Sequence, residues 1–131
     1  MDTPSPNDQV TGQPDRNNTL QELSNAMVRI YKEQFGRGPT QVKTSFADQD
    51  TVISTLENSM TPVERSMLAM GEQHRVEETR LIFQRATQGQ FIAEVEKITG
   101  RTVRAFVSGT DAQRDVSTEV FYLSREGSDA K

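Results

Sequence analysis

The side chains best suited to chemistry in this sequence are one histidine, two acidic turns and a scatter of arginines. His74 is the only histidine, and Glu77 and Glu78 lie one helical turn beyond it. A zinc site needs three or four ligands, and the chain has no cysteine to complete one. The expectation is therefore no metal and a structural or solvated His74, with an enzyme using His74 and Glu77 or Glu78 kept as a remote alternative. The pairs Asp48/Asp50 and Asp111/Asp115 could serve as acid and base only in surroundings that separate their pKa values. Hydrogen bonding within turns accounts for aspartates at such places. Ser108-Gly109-Thr110 has no nucleophile-elbow context, and Gly36-Arg37-Gly38-Pro39 lacks the Lys-Ser/Thr continuation of a phosphate loop. No catalytic residue and no cofactor is expected.

The arginines carry the sharper expectation. Arg37 and Arg101 each fall between a helix and a strand, at what reads as one edge of a sheet, and Arg75 and Arg80 project from a charged helix. Guanidinium forks suit carboxylates and phosphates. Together these four form the candidate contact for an anionic partner: an acidic segment, a phosphate-bearing metabolite or lipid headgroups. The competing reading pairs them internally with Glu57, Glu64 or Glu72 to fix the junctions. Met60, Met67 and Met70 could form an adaptable surface, but ordinary core packing is the simpler account.

Elements to hold these residues follow from periodicity. Leu20, Leu23, Met27, Ile30, Tyr31 and Phe35 recur at helical spacing, with Thr19 and Glu22 fitting a capping box and Gly36 through Pro39 closing the helix. Gln41–Ala47 and Thr51–Glu57 alternate as strands around Asp48-Gln49-Asp50. Thr61-Pro62-Val63-Glu64 opens a second helix to about Arg85, in which Gly71 could mark a bend. After a break at Thr87-Gln88-Gly89, Phe91, Ile92, Val95 and Ile98 line a helix ended by Gly100. A second hairpin, Arg101–Ser108 and Val116–Leu123, turns around Gly109-Thr110-Asp111.

The order is α-β-β-α-α-β-β, an α+β fold with two antiparallel hairpins in a sheet packed against helices. Its halves repeat helix, glycine, arginine, strand, acidic turn and strand, which leaves open a degenerate αββ duplication. The second hairpin is apolar on both faces. Val103, Ala105 and Val107 oppose Phe106, while Val116, Val120 and Tyr122 oppose Phe121 and Leu123. Such a hairpin needs cover on both sides. A second copy of the chain, paired through Phe106, Phe121 and Leu123, would provide it; the alternative is the long central helix.

Composition narrows the class. Residues 1–18 contain only Met1 and Val10 as apolar residues and 125–131 only Ala130, so both read as disordered tails around one domain at 19–124. The net charge of −4 argues against a nucleic-acid partner. There is no apolar run of membrane-spanning length and no signal-like N-terminus, so direct membrane insertion is not expected and the location reads as cytoplasmic.

Several stretches resemble one family. Ser24-Asn25-Ala26-Met27-Val28 and Tyr31 through Pro39 resemble the opening of the MpsC-like family, formerly a domain of unknown function. Leu56-Glu57, Thr61 through Arg65, Gly71-Glu72, Thr79-Arg80, Phe83-Gln84 and Ile98 through Gly109 continue the likeness over about residues 19–123. The resemblance implies the small soluble component of a bacterial sodium-translocating, membrane-potential-generating system. It brings no catalytic residues with it. The function expected is thus a non-enzymatic accessory or regulatory binding module, associated through a membrane transport protein with ion or inorganic-carbon transport. A sensor of a small anionic metabolite is the alternative from another class.

Overall fold

The computed structural model describes residues 16–125. The expected tails at 1–15 and 126–131 lie outside the described residues. Helix α1 spans Arg16–Phe35 and leads through Gly36, at φ +80°, to β1 (Gln41–Asp48) and β2 (Thr51–Glu57). Helices α2 (Pro62–Ala69), α3 (Gln73–Ala86) and α4 (Gln88–Thr99) follow, then β3 (Val103–Asp111) and β4 (Val116–Leu123). The fold is α+β. The sheet is antiparallel, with spatial order β1-β2-β4-β3. The second strands of the two hairpins meet at its centre, the arrangement that two αββ halves about a local two-fold would take.

Several local expectations need correction. Helix α1 is already formed at Arg16, so Thr19 lies inside it rather than capping it. The capping box at Thr61 is present: its hydroxyl accepts from the Glu64 N–H, and Glu64 accepts from the Thr61 N–H. The helix it opens does not reach Arg85, however. Gly71 takes φ +81°, and the Gly71 and Glu72 amides donate to the carbonyls of Leu68 and Met67. That Schellman arrangement ends α2, and α3 starts afresh at Gln73. Helix α4 begins at Gln88, so Gly89 is within it, and Gly100 at φ +72° terminates it. Strand β3 runs past Gly109 to Asp111, and the turn is Ala112–Asp115.

Helices α1, α3 and α4 pack on one face of the sheet, and α2 packs against α3. Leu23, Met27, Ile30 and Tyr31 of α1, and Phe91 and Val95 of α4, form the core with Val52, Leu56, Phe121 and Leu123 from beneath. Phe106 stacks between Phe91 and Phe121, with centroids 5.6 and 4.8 Å away. A smaller cluster joins Met60, Val76 and Ala112, with Met67 and Leu68 against it, so these two methionines are packing residues; Met70 is exposed. The face holding Phe106, Phe121 and Leu123, expected to pair with a second copy, is therefore covered within the chain. The pairing register changes between Val103 and Ala105, which places Arg104 at a bulge. Val103 packs against the covered core with Phe106 instead of sharing a face with Ala105 and Val107.

Candidate functional site

The four candidate arginines do not converge. Arg37 Nη1 donates to the carbonyls of Asn58 (2.7 Å) and Met60 (3.1 Å), beyond the C-terminal end of β2. Arg101 donates to Gln49 O (2.8 Å), Asp50 Oδ1 (2.5 Å) and Ser124 O (2.6 Å), at the other end of that strand. The two are thus at opposite ends of the sheet, not along one edge. Each nonetheless bonds the carbonyl of the residue that immediately follows its own hairpin. Arg75 makes an exposed i,i+3 pair with Glu72.

Arg80 is the exception among the four, being fully buried. It makes a forked pair with Glu64, with Nη2 to Oε1 at 2.7 Å and Nε to Oε2 at 2.8 Å. It also donates to Ser59 Oγ and Ser59 O, and its guanidinium lies 3.9 Å from the Phe35 ring centroid. Burial pushes the Glu64 carboxyl up, but hydrogen bonds from Arg80 and the Thr61 amide outweigh it and hold it below its ordinary value. Together Arg37, Arg65, Arg80 and Asp115 engage every backbone polar group of Asn58–Met60. The Asn58, Ser59 and Met60 amides donate to Asp115 O, Oδ1 and Oδ2, and their carbonyls accept from Arg37, Arg80 and Arg65. Asn58 and Asp115 both take positive φ (61° and 57°), so this knot also holds two residues in the left-handed region.

The covered face contains a polar row. Thr44, Ser54, Glu119 and Ser108 are consecutive partners across all four strands. Ser24 of α1 donates to Thr44 Oγ1, which bonds Ser54 Oγ, both at 2.8 Å. Glu119 is fully buried. Its Oε2 accepts from the Tyr31 hydroxyl (2.5 Å) and from Gln84 Nε2 (2.6 Å). The Ser108 hydroxyl is close enough to favour the charged carboxyl slightly, yet neither Ser108 Oγ nor Glu119 Oε1 makes a full hydrogen bond. Desolvation dominates and pushes Glu119 up to about 7. Burial, with Glu119 beside it, raises Tyr31 well above the ordinary phenol value, so Tyr31 stays a donor.

Glu119 was missed among the candidate residues, although a signal existed. It occupies the inward phase of β4 between Ser117 and Phe121, as Ser54 sits between Val52 and Leu56 and Thr44 between Val42 and Phe46. His74 is exposed. Glu77 Oε2 accepts from Gln73 Nε2 and from the Ala112 amide, which ties α3 to the β3–β4 turn. The structure does not draw His74 and Glu77 into a shared hydrogen bond. Among the described residues no group of three or more histidines, aspartates or glutamates could hold a metal ion.

Among the described residues no helix lies over the opposite face of the sheet. Its rows, in register, are Gln41-Glu57-Val116-Asp111, Lys43-Thr55-Thr118-Gly109, Ser45-Ile53-Val120-Val107 and Thr51-Tyr122-Ala105. Ile53, Val120 and Val107 make a continuous apolar stripe, and Val107 is 54% exposed. Arg104, at the bulge, lies over the Tyr122 ring at 5.5 Å. One end of this face is thus acidic, through Glu57 and Asp111, and the other carries Arg104. Asp48, exposed at that other end, is held below the ordinary carboxylate value by the Asp50 amide first and by Thr51 and Arg104 as well.

A family model described as Na+-translocating membrane potential-generating system (MpsC) matches residues 15–125. No curated protein and no solved structure matches the chain. The family match spans all of the described residues, and the chain belongs to the MpsC family. Among the described residues no helix is long and apolar enough to cross a membrane.

Proposed function

We propose that this MpsC family member is a non-catalytic accessory component of the membrane-potential-generating system its family is named for, and that it works in the cytoplasm as a homodimer joined through the open sheet face. The observation that carries the reading is the stripe of Ile53, Val120 and the exposed Val107, over which no described helix lies. A contact protein is favoured over an enzyme because the side chains capable of chemistry serve the fold. Arg80 holds Glu64, Glu77 holds Ala112, and Glu119 holds Tyr31 and Gln84.

Self-complementarity favours a second copy as the occupant. A two-fold axis across the strands would set each strand over its own counterpart, reversed. Arg104 then meets the partner copy's acidic end at Asp111. The bulky Ile53, Val120 and Val107 meet the small row of Thr55, Thr118 and Gly109, and Tyr122 meets Val116. Stacked sheets pack about 10 Å apart in this way. Four strands about 4.8 Å apart and about eight residues long offer roughly 500 Å² per copy, near the lower limit for a specific dimer. The dimer is then reversible, leaving the rims of the sheet for a membrane-bound partner.

Light scattering at micromolar concentration tests the pairing. The wild type should run as a dimer and Val120→Glu as a folded monomer. Arg104→Asp and Asp111→Arg should each weaken the dimer and restore it when combined. A monomeric wild type ends the reading. The accessory role is checked by affinity capture from native membranes; a transport protein held by the wild type supports it, and its absence counts against it.

A further inference from the structure

We propose that Glu119 is a proton-operated switch in the helix–sheet seam: neutral, it carries its proton on Oε1 toward Ser108, and ionised, it loosens α3 from β4. This goes beyond the dimer and does not depend on it.

The geometry separates the two carboxyl oxygens. Oε2 already accepts two hydrogen bonds, from Tyr31 of α1 and Gln84 of α3. Oε1 is buried with no hydrogen-bond partner, and Ser108 Oγ opposite it is also buried and unpartnered. A proton on Oε1 makes that oxygen a donor toward Ser108 Oγ, whereas the ionised carboxylate would accept from the Ser108 hydroxyl, so this pair can serve both states and full burial is what favours the neutral one. An ionised carboxylate here is withdrawn from bulk water, because Glu119 is fully buried. Its two donors come from different helices, so relief by water entry requires one of them to move away from the strand.

The groups around it leave the proton on Glu119. Tyr31, from α1, is itself raised by burial and by Glu119 and remains protonated. Arg80, from α3, is the cation in range, and it is committed to Glu64. Strands β2, β3 and β4 present Ser54, Ser108 and Ser117, and α4 packs through the apolar Phe91 and Val95. Burial accordingly sets the transition at about 7, where modest changes of cytoplasmic pH change its charge. The sign is fixed by linkage. The unfolded carboxyl, near 4.5, ionises first, so folded stability is complete below that value and falls as pH rises through about 7.

The chain has two tyrosines and no tryptophan, which supplies a local reporter. In a Tyr122→Phe background Tyr31 is the only strong fluorophore, and it donates directly to the switching carboxyl. Its emission should titrate with a midpoint near pH 7, matched by the Glu119 side-chain carboxyl resonance in wild-type protein. Glu119→Gln places an NH₂ where the neutral acid has its O–H. It should abolish the titration and make the melting temperature at pH 8 higher than that of the wild type. A wild-type carboxyl resonance that titrates in the ordinary glutamate range overturns the proposal, and so does one that stays charged throughout. Because that measurement uses unaltered protein, it decides the matter even if Glu119→Gln fails to fold.

Discussion

The two faces of this sheet are composed in opposite senses near their centres. Under the helices, the middle row is Thr44, Ser54, Glu119 and Ser108, while the neighbouring row on the open side ends in Ile53, Val120 and Val107. Hydrophobicity alone would cover the second row and expose the first. The covered row is tolerated because Ser24, Tyr31 and Gln84 reach down from two helices to satisfy most of it. Among the described residues the open row has no such neighbours, and Val107 at its edge is exposed. Which face a helix layer selects is decided by whole rows, and here Phe46-Val52-Phe121-Phe106 and Val42-Leu56 flank the polar row with enough apolar surface.

The largest effects should come from under the helices. Phe121→Ala removes a fully buried ring stacked on Phe106 and should cost about 3–5 kcal/mol in urea unfolding. Arg80→Ala should cost a similar amount, about 3–5 kcal/mol, because it leaves Glu64 and the Ser59 carbonyl without their main partner. Val107→Ala, on the open face, should stay within about 0.5 kcal/mol for the monomer while weakening association. Equal losses at Phe121 and Val107 in the monomer would erase the distinction between the faces.

Intermediate effects belong to the sheet ends. Arg37→Ala and Arg101→Ala each remove charge-assisted bonds to backbone carbonyls and should cost about 1–3 kcal/mol by thermal or chemical unfolding. If instead either variant keeps its melting temperature and loses a partner, the arginine is a contact residue rather than a clamp. The smallest effect should be at Arg75. Its exposed pair with Glu72 is worth less than about 1 kcal/mol, and Arg75→Ala should unfold almost at the wild-type midpoint.

Much of the local structure was legible. The Thr61-Pro62-Val63-Glu64 cap, the glycine stops at Gly36 and Gly100, and strands Thr51–Glu57 and Val116–Leu123 stand where their residue types place them. The weak position at Gly71 was also visible, but its consequence was larger than a bend. A left-handed glycine lets two carbonyls be satisfied and the chain restart, whereas a bend would have needed continuous helix bonds. Thr19 misled because a capping pattern says only that a helix can begin there. Nothing local stops it from beginning sooner.

The sequence by itself determined which segments are helix or strand and the alternation along each strand, since these depend on neighbours within a few residues. It also showed that the second hairpin has two apolar faces. Tertiary structure alone decided which of those faces is covered, because that depends on whole rows assembled across four strands, to which a bulge beside Arg104 adds Val103 in phase with Phe106. It decided the fate of the arginines in the same way, since Arg37 and Arg101 find their carbonyl partners 21 and 23 residues away along the chain. The buried carboxyl is the furthest case. Glu119 receives its hydrogen bond from Tyr31, 88 residues earlier, and its loss of water comes from helices that no local pattern could orient.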